Sequence, residues 1–315
     1  MLSLIVPIYK NAANVAPLLE ALRGLYENIG GALEVILVVD GSPDDSYLLL
    51  RDELPRQPYR SSLIALSRNF GSFSAIRAGL AAARGERMAV MAADLQEPPE
   101  LVVEFDRRLR KGDVDVVVGQ RTGRADPIVA RLLSSLFWSI YRRWVQREVP
   151  PGGVDIFGCT DKVRRELVRF TEANSSLVGL LFWVGFRRVC VPYSRRRREV
   201  GRSAWTFSRK LRYLSDSMFA FSDLPIRLLL LVGILGLTIS TVYASVVLVA
   251  KILFSIPVPG YTATIVLVSF FGGLNCFGLG LLGGYLWRTF ENSKQRPNYV
   301  VMSTESFNDD DAKRP

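Results

Sequence analysis

The strongest capacity for chemistry lies in residues 89–100, A-V-M-A-A-D-L-Q-E-P-P-E. An apolar run ends at Asp94, Gln96 follows two positions later, and the Pro98-Pro99 pair favours the start of a helix. Open α/β sheets carry ligand-binding groups at the C-terminal ends of their buried strands. In that position Asp94 and Gln96 offer oxygen donors for a hard cation shared with a phosphate. The same aspartate also suits a helix cap after a strand, and this stretch alone leaves both readings open.

The rest of the chain narrows the chemistry. No histidine occurs among the 315 residues, which excludes Ser-His, Cys-His and His-metal sites and leaves carboxylates, amides, hydroxyls, Arg and Lys. Cys159, Cys190 and Cys276 are odd in number and widely spaced, so they form neither a disulfide framework nor a zinc pattern.

The elements that must position Asp94 are legible from period. Apolar runs at 2–9, 34–39, 62–67, 87–93 and 114–119 read as strands, and 14–26, 44–54, 73–84 and 98–110 read as helices between them. That alternation predicts an α/β domain with a mainly parallel sheet and right-handed crossovers. Polar clusters close the first four strands: Pro7-Ile8-Tyr9, Asp40-Gly41-Ser42, Ser67-Arg68-Asn69-Phe70-Gly71, and Asp94 with Gln96. Singly, each is ordinary turn chemistry. Together they line one edge of one sheet, where such folds keep their ligand crevice.

Charge and hydropathy add a membrane. The formal net charge of +10 calls for an anionic partner. Residues 228–250 and 252–287 contain no charged side chain, and each exceeds the roughly 20 residues needed to span a bilayer. The first apolar run has no basic residues before it and turns polar at Lys10, unlike a signal peptide, so the front domain is expected in the cytosol. Residues 127–148 combine aromatic and basic residues, which fits either a surface helix or one lying on lipid. Arg131 and Ser135 are four apart and share a helix face. Residues 152–159 read as a Gly-rich loop carrying Asp155. The run Arg195-Arg196-Arg197-Arg198, close before the first span, reads as a lipid-binding cluster rather than a nucleic-acid site.

The motifs V-P-I-Y, V-V-D-G-S-P-D-D-S, S-R-N-F-G-S-F-S-A-I, A-A-D-L-Q-E-P-P-E and G-R-S-A-W-T-F, in this order, resemble the family 2 glycosyltransferases that act on polyprenyl phosphates. Dolichyl-phosphate mannose synthase and the bacterial undecaprenyl-phosphate glucosyl and aminoarabinosyl transferases belong to that group. The resemblance covers nearly the whole chain. It implies a Rossmann-like GT-A domain over 1–200, a juxtamembrane amphipathic helix over 201–225 and a two-helix membrane hairpin over 226–290, while the polar segment 291–315, ending D-D-D-A-K-R-P, reads by its composition as a disordered cytosolic tail. It further implies that Pro7, Tyr9, Asp40 and Arg68 hold a nucleotide sugar, and that Asp94 and Gln96 take Mg²⁺ or Mn²⁺. By the same resemblance Arg121, Arg131 and Ser135 grip the lipid phosphate, Ser203 contacts substrate, and Asp155 orients acceptor or metal.

Four of the motifs depart from the family pattern, at five residues in all. Ala92 stands where an Asp is usual, Lys10-Asn11 replaces Asn-Glu, Val39-Asp40 replaces Asp-Asp, and Ala204 replaces Lys. The expected activity is inverting transfer of a sugar from a UDP- or GDP-sugar to polyprenyl phosphate at the cytosolic face of the inner membrane, with both termini cytosolic. The missing carboxylate keeps a second reading open, a weak or silent membrane scaffold working with a small flippase, and homo-oligomers fit either. A polysaccharide synthase should carry Q-x-x-R-W, but Ile140 precedes Arg143-Trp144 at the Gln position.

Overall fold

The stretch L-E-V-I-L-V-V is buried at all seven positions, as a strand covered on both faces of a parallel sheet must be. It forms β2 (Leu33–Val39) in a computed structural model that describes residues 1–122, 139, 141–143, 146–150, 153–154, 156–172, 175–195, 216–254 and 260–309. Around it lie β1 (Leu2–Ile8), β3 (Arg60–Leu66), β4 (Arg87–Val90), β5 (Val116–Arg121), β6 (Phe157–Thr160), β7 (Arg188–Tyr193) and β8 (Val301–Phe307). One sheet orders them β7-β5-β6-β4-β1-β2-β3-β8. β3, β2, β1 and β4 run parallel, as do β5 and β7, whereas β6 is antiparallel to both β4 and β5.

Strand alternation divides the core in two. Leu2, Leu4, Val6, Val35, Leu37 and Val39 point to one face, where they meet α1 (Val15–Ile29), α2 (Ser46–Glu53) and α4 (Glu100–Arg110). Ile5, Ile36 and Val38 point to the other, against α3 (Ser72–Ala82), α5 (Asp161–Arg169) and α6 (Leu177–Trp183). Each fully buried Leu, Ile or Val contributes about 1.5–3 kcal/mol. In α1 the buried set Val15, Leu18, Leu19, Leu22, Leu25 and Ile29 has the three-and-four spacing of one helix face. On the opposite face α3 lies so close to β1 that a Cβ on Gly79 would stand 2.4 Å from Ile5 Cγ2. Glu34, the one charged residue of β2, is 1% exposed and accepts from Ser3 Oγ and from the Arg84 amide.

The five sequence-predicted strands and four helices all form, with one shift that matters. β4 ends at Val90, not 93, so Asp94 rides on a loop beyond the strand. Residues 157–159, expected within a Gly-rich loop, form β6 together with Thr160, between β4 and β5. The interfacial helix expected over 127–148, the helix expected over 201–225, and Arg131, Ser135, Asp155 and Ser203 lie wholly or mainly outside the described residues.

The expected disordered tail requires a larger correction. Val301–Phe307 is β8, paired antiparallel with β3, so the front sheet draws its edge strand from beyond the apolar helices. The polar composition of the tail conceals this pairing, because the main-chain groups it satisfies belong to a distant strand. Tyr47 donates to Glu305 Oε1 at 2.5 Å and Arg51 to Glu305 Oε2 at 2.9 Å. The Tyr47 hydrogen bond leads in holding the Glu305 carboxyl below its usual range. Asp309 pairs with Arg60 and Arg84.

Between the globular part and β8 lie α7 (Leu224–Phe254) and α8 (Tyr261–Ser293). Both are long and apolar enough to cross a membrane, with segments Leu224–Ala250 and Phe270–Ser293 of mean hydropathy 2.1 and 1.2. Their large apolar side chains, such as Leu237, Ile239, Leu279 and Leu286, stand exposed by 64–69%. Such a surface is stable only against lipid or another apolar cover.

Asn308 ends β8 in the left-handed region at φ 57° and donates from Nδ2 to the carbonyls of Leu54 at 3.1 Å and Gln57 at 2.9 Å. Asn308→Ala should therefore destabilise the full chain by about 0.5–1.5 kcal/mol, the net scale of a side-chain hydrogen bond. Denaturant unfolding in detergent measures it, and an unchanged midpoint would show that β8 is not secured at this point.

Candidate functional site

The C-terminal ends of β1, β2, β3, β4, β5 and β7 all open onto one edge of the sheet, because these six strands share a direction. A sheet buried on both faces can expose polar groups only at such an edge, so its loops carry the chemistry. Pro7 and Tyr9 follow β1, Asp40 follows β2, Arg68 follows β3, Asp94 and Gln96 follow β4, and Arg121 ends β5. Each of these residues thus lies at or just past a strand end on this one edge, spread along it from β3 to β5.

Two carboxylates stitch these loops together. Asp40, 2% exposed, accepts from the Phe70 amide at 2.7 Å and the Gly71 amide at 2.8 Å, while its carbonyl accepts from Asn69 Nδ2 at 3.2 Å. Burial pushes its carboxyl above the usual range, with the two amides and Arg68 acting against that shift. Both oxygens therefore hold the β3 loop, and Asp40 supports a ligand through that loop rather than by presenting a bare carboxylate.

Asp44 plays the corresponding part between β1 and β2, a role that the sequence analysis missed. It accepts from Ser42 Oγ at 2.5 Å, Ser46 Oγ at 2.7 Å and the Ala12 amide at 2.9 Å. Burial opposes its ionisation, but these hydrogen bonds outweigh it and hold the carboxyl below the usual range. Ser42 Oγ also accepts from the Lys10 amide at 2.7 Å. The repeated Ser and Asp in S-P-D-D-S were the available signal.

Lys10 and Leu95 adopt left-handed backbone at φ 55° and 51°. Each costs about 1–3 kcal/mol for a non-glycine residue, and such positions concentrate at functional sites. At Leu95 the chain doubles back so that the Gln96 amide meets Asp94 Oδ1 at 3.3 Å. Arg195, two residues past β7, enters this turn from the other side. Its Nη2 donates to Gln96 Oε1 at 2.7 Å and its Nε lies 3.3 Å from Glu97 Oε1, a carboxylate only 1% exposed. This corrects the sequence reading, which put Arg195 in a lipid-binding cluster: a buried acid and an amide draw it into the site. Arg121 is registered opposite Tyr193, beside that same crossing. Arg68 stacks over Phe70 at 4.2 Å, leaving another cation at the edge.

A separate cleft of about 400 Å³ lies near the foot of α7 and α8, lined by Phe219, Phe221, Ser222, Asp223, Ile226 and Tyr285. None of these is a strand-edge residue. The strand edge, not this cleft, carries the polar residues that follow the parallel strands.

Gly41 sets the spacing of the edge. Its φ is 56°, and a Cβ there would stand 2.3 Å from the Arg68 carbonyl carbon. Gly41→Ala should cost more than about 2 kcal/mol through strain and backbone overlap. It should also speed hydrogen exchange at the Phe70 and Gly71 amides, and unchanged protection there would show that Asp40 keeps its grip without close contact between the two loops.

The model of glycosyl transferase family 2 matches residues 3–169. The chain is 34% identical to CsbB of Bacillus subtilis over 310 residues, spanning 98% of this chain and 94% of that one. It is 26% identical to the bactoprenol glucosyl transferase of Shigella phage SfV, over 96% of this chain and 98% of that one. A solved mannosyltransferase of Pyrobaculum calidifontis, in complex with GDP-Man and Mn²⁺, shares the fold at TM-score 0.52 and 18% identity, covering 91% and 85% of the two chains. With its polar groups gathered at the edge of a mostly parallel sheet and family likeness running from β1 through α5, the chain belongs to glycosyl transferase family 2.

Proposed function

We propose that this glycosyltransferase moves a sugar from a UDP- or GDP-linked donor to a polyprenyl phosphate at the cytosolic face of the bacterial plasma membrane, with inversion at the anomeric carbon. The observation that carries the reading is a join. One sheet edge gathers Asp94, Gln96, Arg68 and Arg121 in a chain that also carries two apolar helices of bilayer length. Near full-length similarity to a bactoprenol glucosyl transferase supports a lipid acceptor.

A divalent cation, Mg²⁺ or Mn²⁺, fits this edge as an ion shared with the substrate. Asp94 supplies one carboxylate, position 92 is Ala, and Gln96 Oε1 already accepts from Arg195. Among the described residues no three acids or thiols cluster as a metal cage. Mg²⁺ commonly binds one or two carboxylates and completes its shell with waters and substrate phosphates, so Asp94 with Gln96 would suffice. Bound there, the ion would neutralise charge on the departing diphosphate.

The remaining steps rest on the chain itself. Pro7 and Tyr9 flank the base and ribose, and Asp40 steadies the Arg68 loop beside them. Arg121 takes the lipid phosphate together with Arg131 and Ser135, whose guanidinium and hydroxyl suit phosphate oxygens, while Ser203 and Asp155 orient the substrates. A phosphate monoester has a second pKa of about 6, so the acceptor is already an anionic nucleophile at neutral pH. No general base is needed, in keeping with a chain without histidine. The acceptor oxygen bonds to the anomeric carbon as the bond from that carbon to the diphosphate oxygen breaks, and the electron pair leaves with the diphosphate. Positioning and fixed charge supply the catalysis.

Arg227, Arg288, Lys294 and Arg296 flank one side of the helical hairpin and Lys251 the other, which orients both termini to the cytosol by the positive-inside rule. A reporter fused at Pro259 should be active only outside the cytoplasm; cytosolic activity would reverse the topology.

Asp94→Ala should abolish transfer to undecaprenyl phosphate, while Ala92→Asp should keep it and lower the metal concentration that gives half the maximal rate. Screening UDP- and GDP-sugars against membranes containing the protein tests both. Failure of the wild type with every donor and metal, combined with gain of transfer in Ala92→Asp, would favour a non-catalytic scaffold.

A further inference from the structure

Arg195 does more than neutralise a buried acid. An arginine whose only task was to balance Glu97 would gain most from a two-pronged pairing with that carboxylate. Here the guanidinium divides one edge between two residues, Nε toward Glu97 Oε1 at 3.3 Å and Nη2 to Gln96 Oε1 at 2.7 Å. Glu97 is 1% exposed and the Arg195 side chain 30%, so the head is anchored from below and open from above. The Nη1 donors take no partner among the described residues. The planar fork has five N–H donors, and those left over suit the oxygens of a phosphate.

The location gives this fork a specific use. Gln96 is a neutral amide, position 92 carries no carboxylate, and Asp94 is the one acid of the A-A-D-L-Q segment. A cation coordinated by Gln96 Oε1 would sit directly beside the guanidinium, where like charges repel. The positive charge at this turn is therefore supplied first by the protein.

We infer that Arg195 is a binding residue for the donor diphosphate, held by Gln96 and Glu97 so that its guanidinium carries part of the neutralising charge that a fuller carboxylate motif would leave to the metal. The inference rests on the nucleotide-sugar reading above and adds to it a fixed cation that works with or without the ion. The chain needs the divalent metal less for donor binding than its metal motif suggests, and a neutral residue at 195 shifts the burden back to the metal.

The test measures binding of UDP and of GDP to the full chain in lipid nanodiscs, by calorimetry, in EDTA and in Mn²⁺. Wild type should bind at least one diphosphate in EDTA. Arg195→Gln should weaken that binding by tenfold or more, on the scale of hydrogen bonds to charged groups, and weaken binding in Mn²⁺ much less. Arg195→Lys, which keeps the charge without the fork, should recover part of the loss, and it carries the same comparison if the glutamine variant fails to fold. Equal losses in EDTA and in Mn²⁺ would reduce Arg195 to a structural brace. Wild-type binding that requires Mn²⁺, or no difference between wild type and variant in EDTA, would overturn the inference while sparing the donor site. Failure of wild type to bind either diphosphate under both conditions would overturn both.

Discussion

A parallel sheet buried on both faces leaves its chain few places to put a charge, and this constraint organises the globular part. Leu, Ile and Val fill both sides of β1 and β2, and Glu34 survives among them only because Ser3 and the Arg84 amide satisfy it. An unpaired polar group in that interior would cost about 1–3 kcal/mol or more. Polar chemistry is thus driven to the strand ends, and the shared direction of six strands brings it to one edge.

The edge is a knitted surface rather than a row of independent loops. Asp40 ties the β2 end to the β3 loop, and Asp44 with Ser42 and Ser46 ties the β1 loop to the start of α2. In both, a carboxylate accepts backbone N–H donors that would otherwise be orphaned at a turn or a helix entry. The opposite pKa directions have one origin. Burial dominates at Asp40, whereas hydrogen bonds to its charged form dominate at the less buried Asp44.

The same economy of charge shapes the Asp94 turn. One carboxylate, one amide and one anchored guanidinium stand where two acids would make a site dependent on an ion. Under the proposed function, a metal shared with substrate phosphates and a protein cation would serve the same end, since both would oppose negative charge on a leaving diphosphate. The apolar helices give this edge its setting. β8 then returns from α8 to pair with β3, so the two apolar helices are joined to the globular part through the chain at both ends.

The sequence by itself determined the elements whose cause is local. Short apolar runs and period-3.6 patterns marked β1 to β5 and α1 to α4, long uncharged runs marked α7 and α8, and turn residues marked the polar strand edge, because each signal resides in neighbouring residues. Only the tertiary structure decided what depends on partners far along the chain. β8 looked disordered because its own composition is polar, yet its stability comes from the open edge of β3 and from Tyr47, 256 residues from Ser303. β6 hid inside a Gly-rich segment because a short strand between two others draws its order from their main chains. Arg195 looked like one arginine of a basic run, since nothing in that run records a buried Glu97 waiting across the fold. Spacing can say which residues reach an edge, but which of their donors and acceptors meet is settled only when distant loops are packed together.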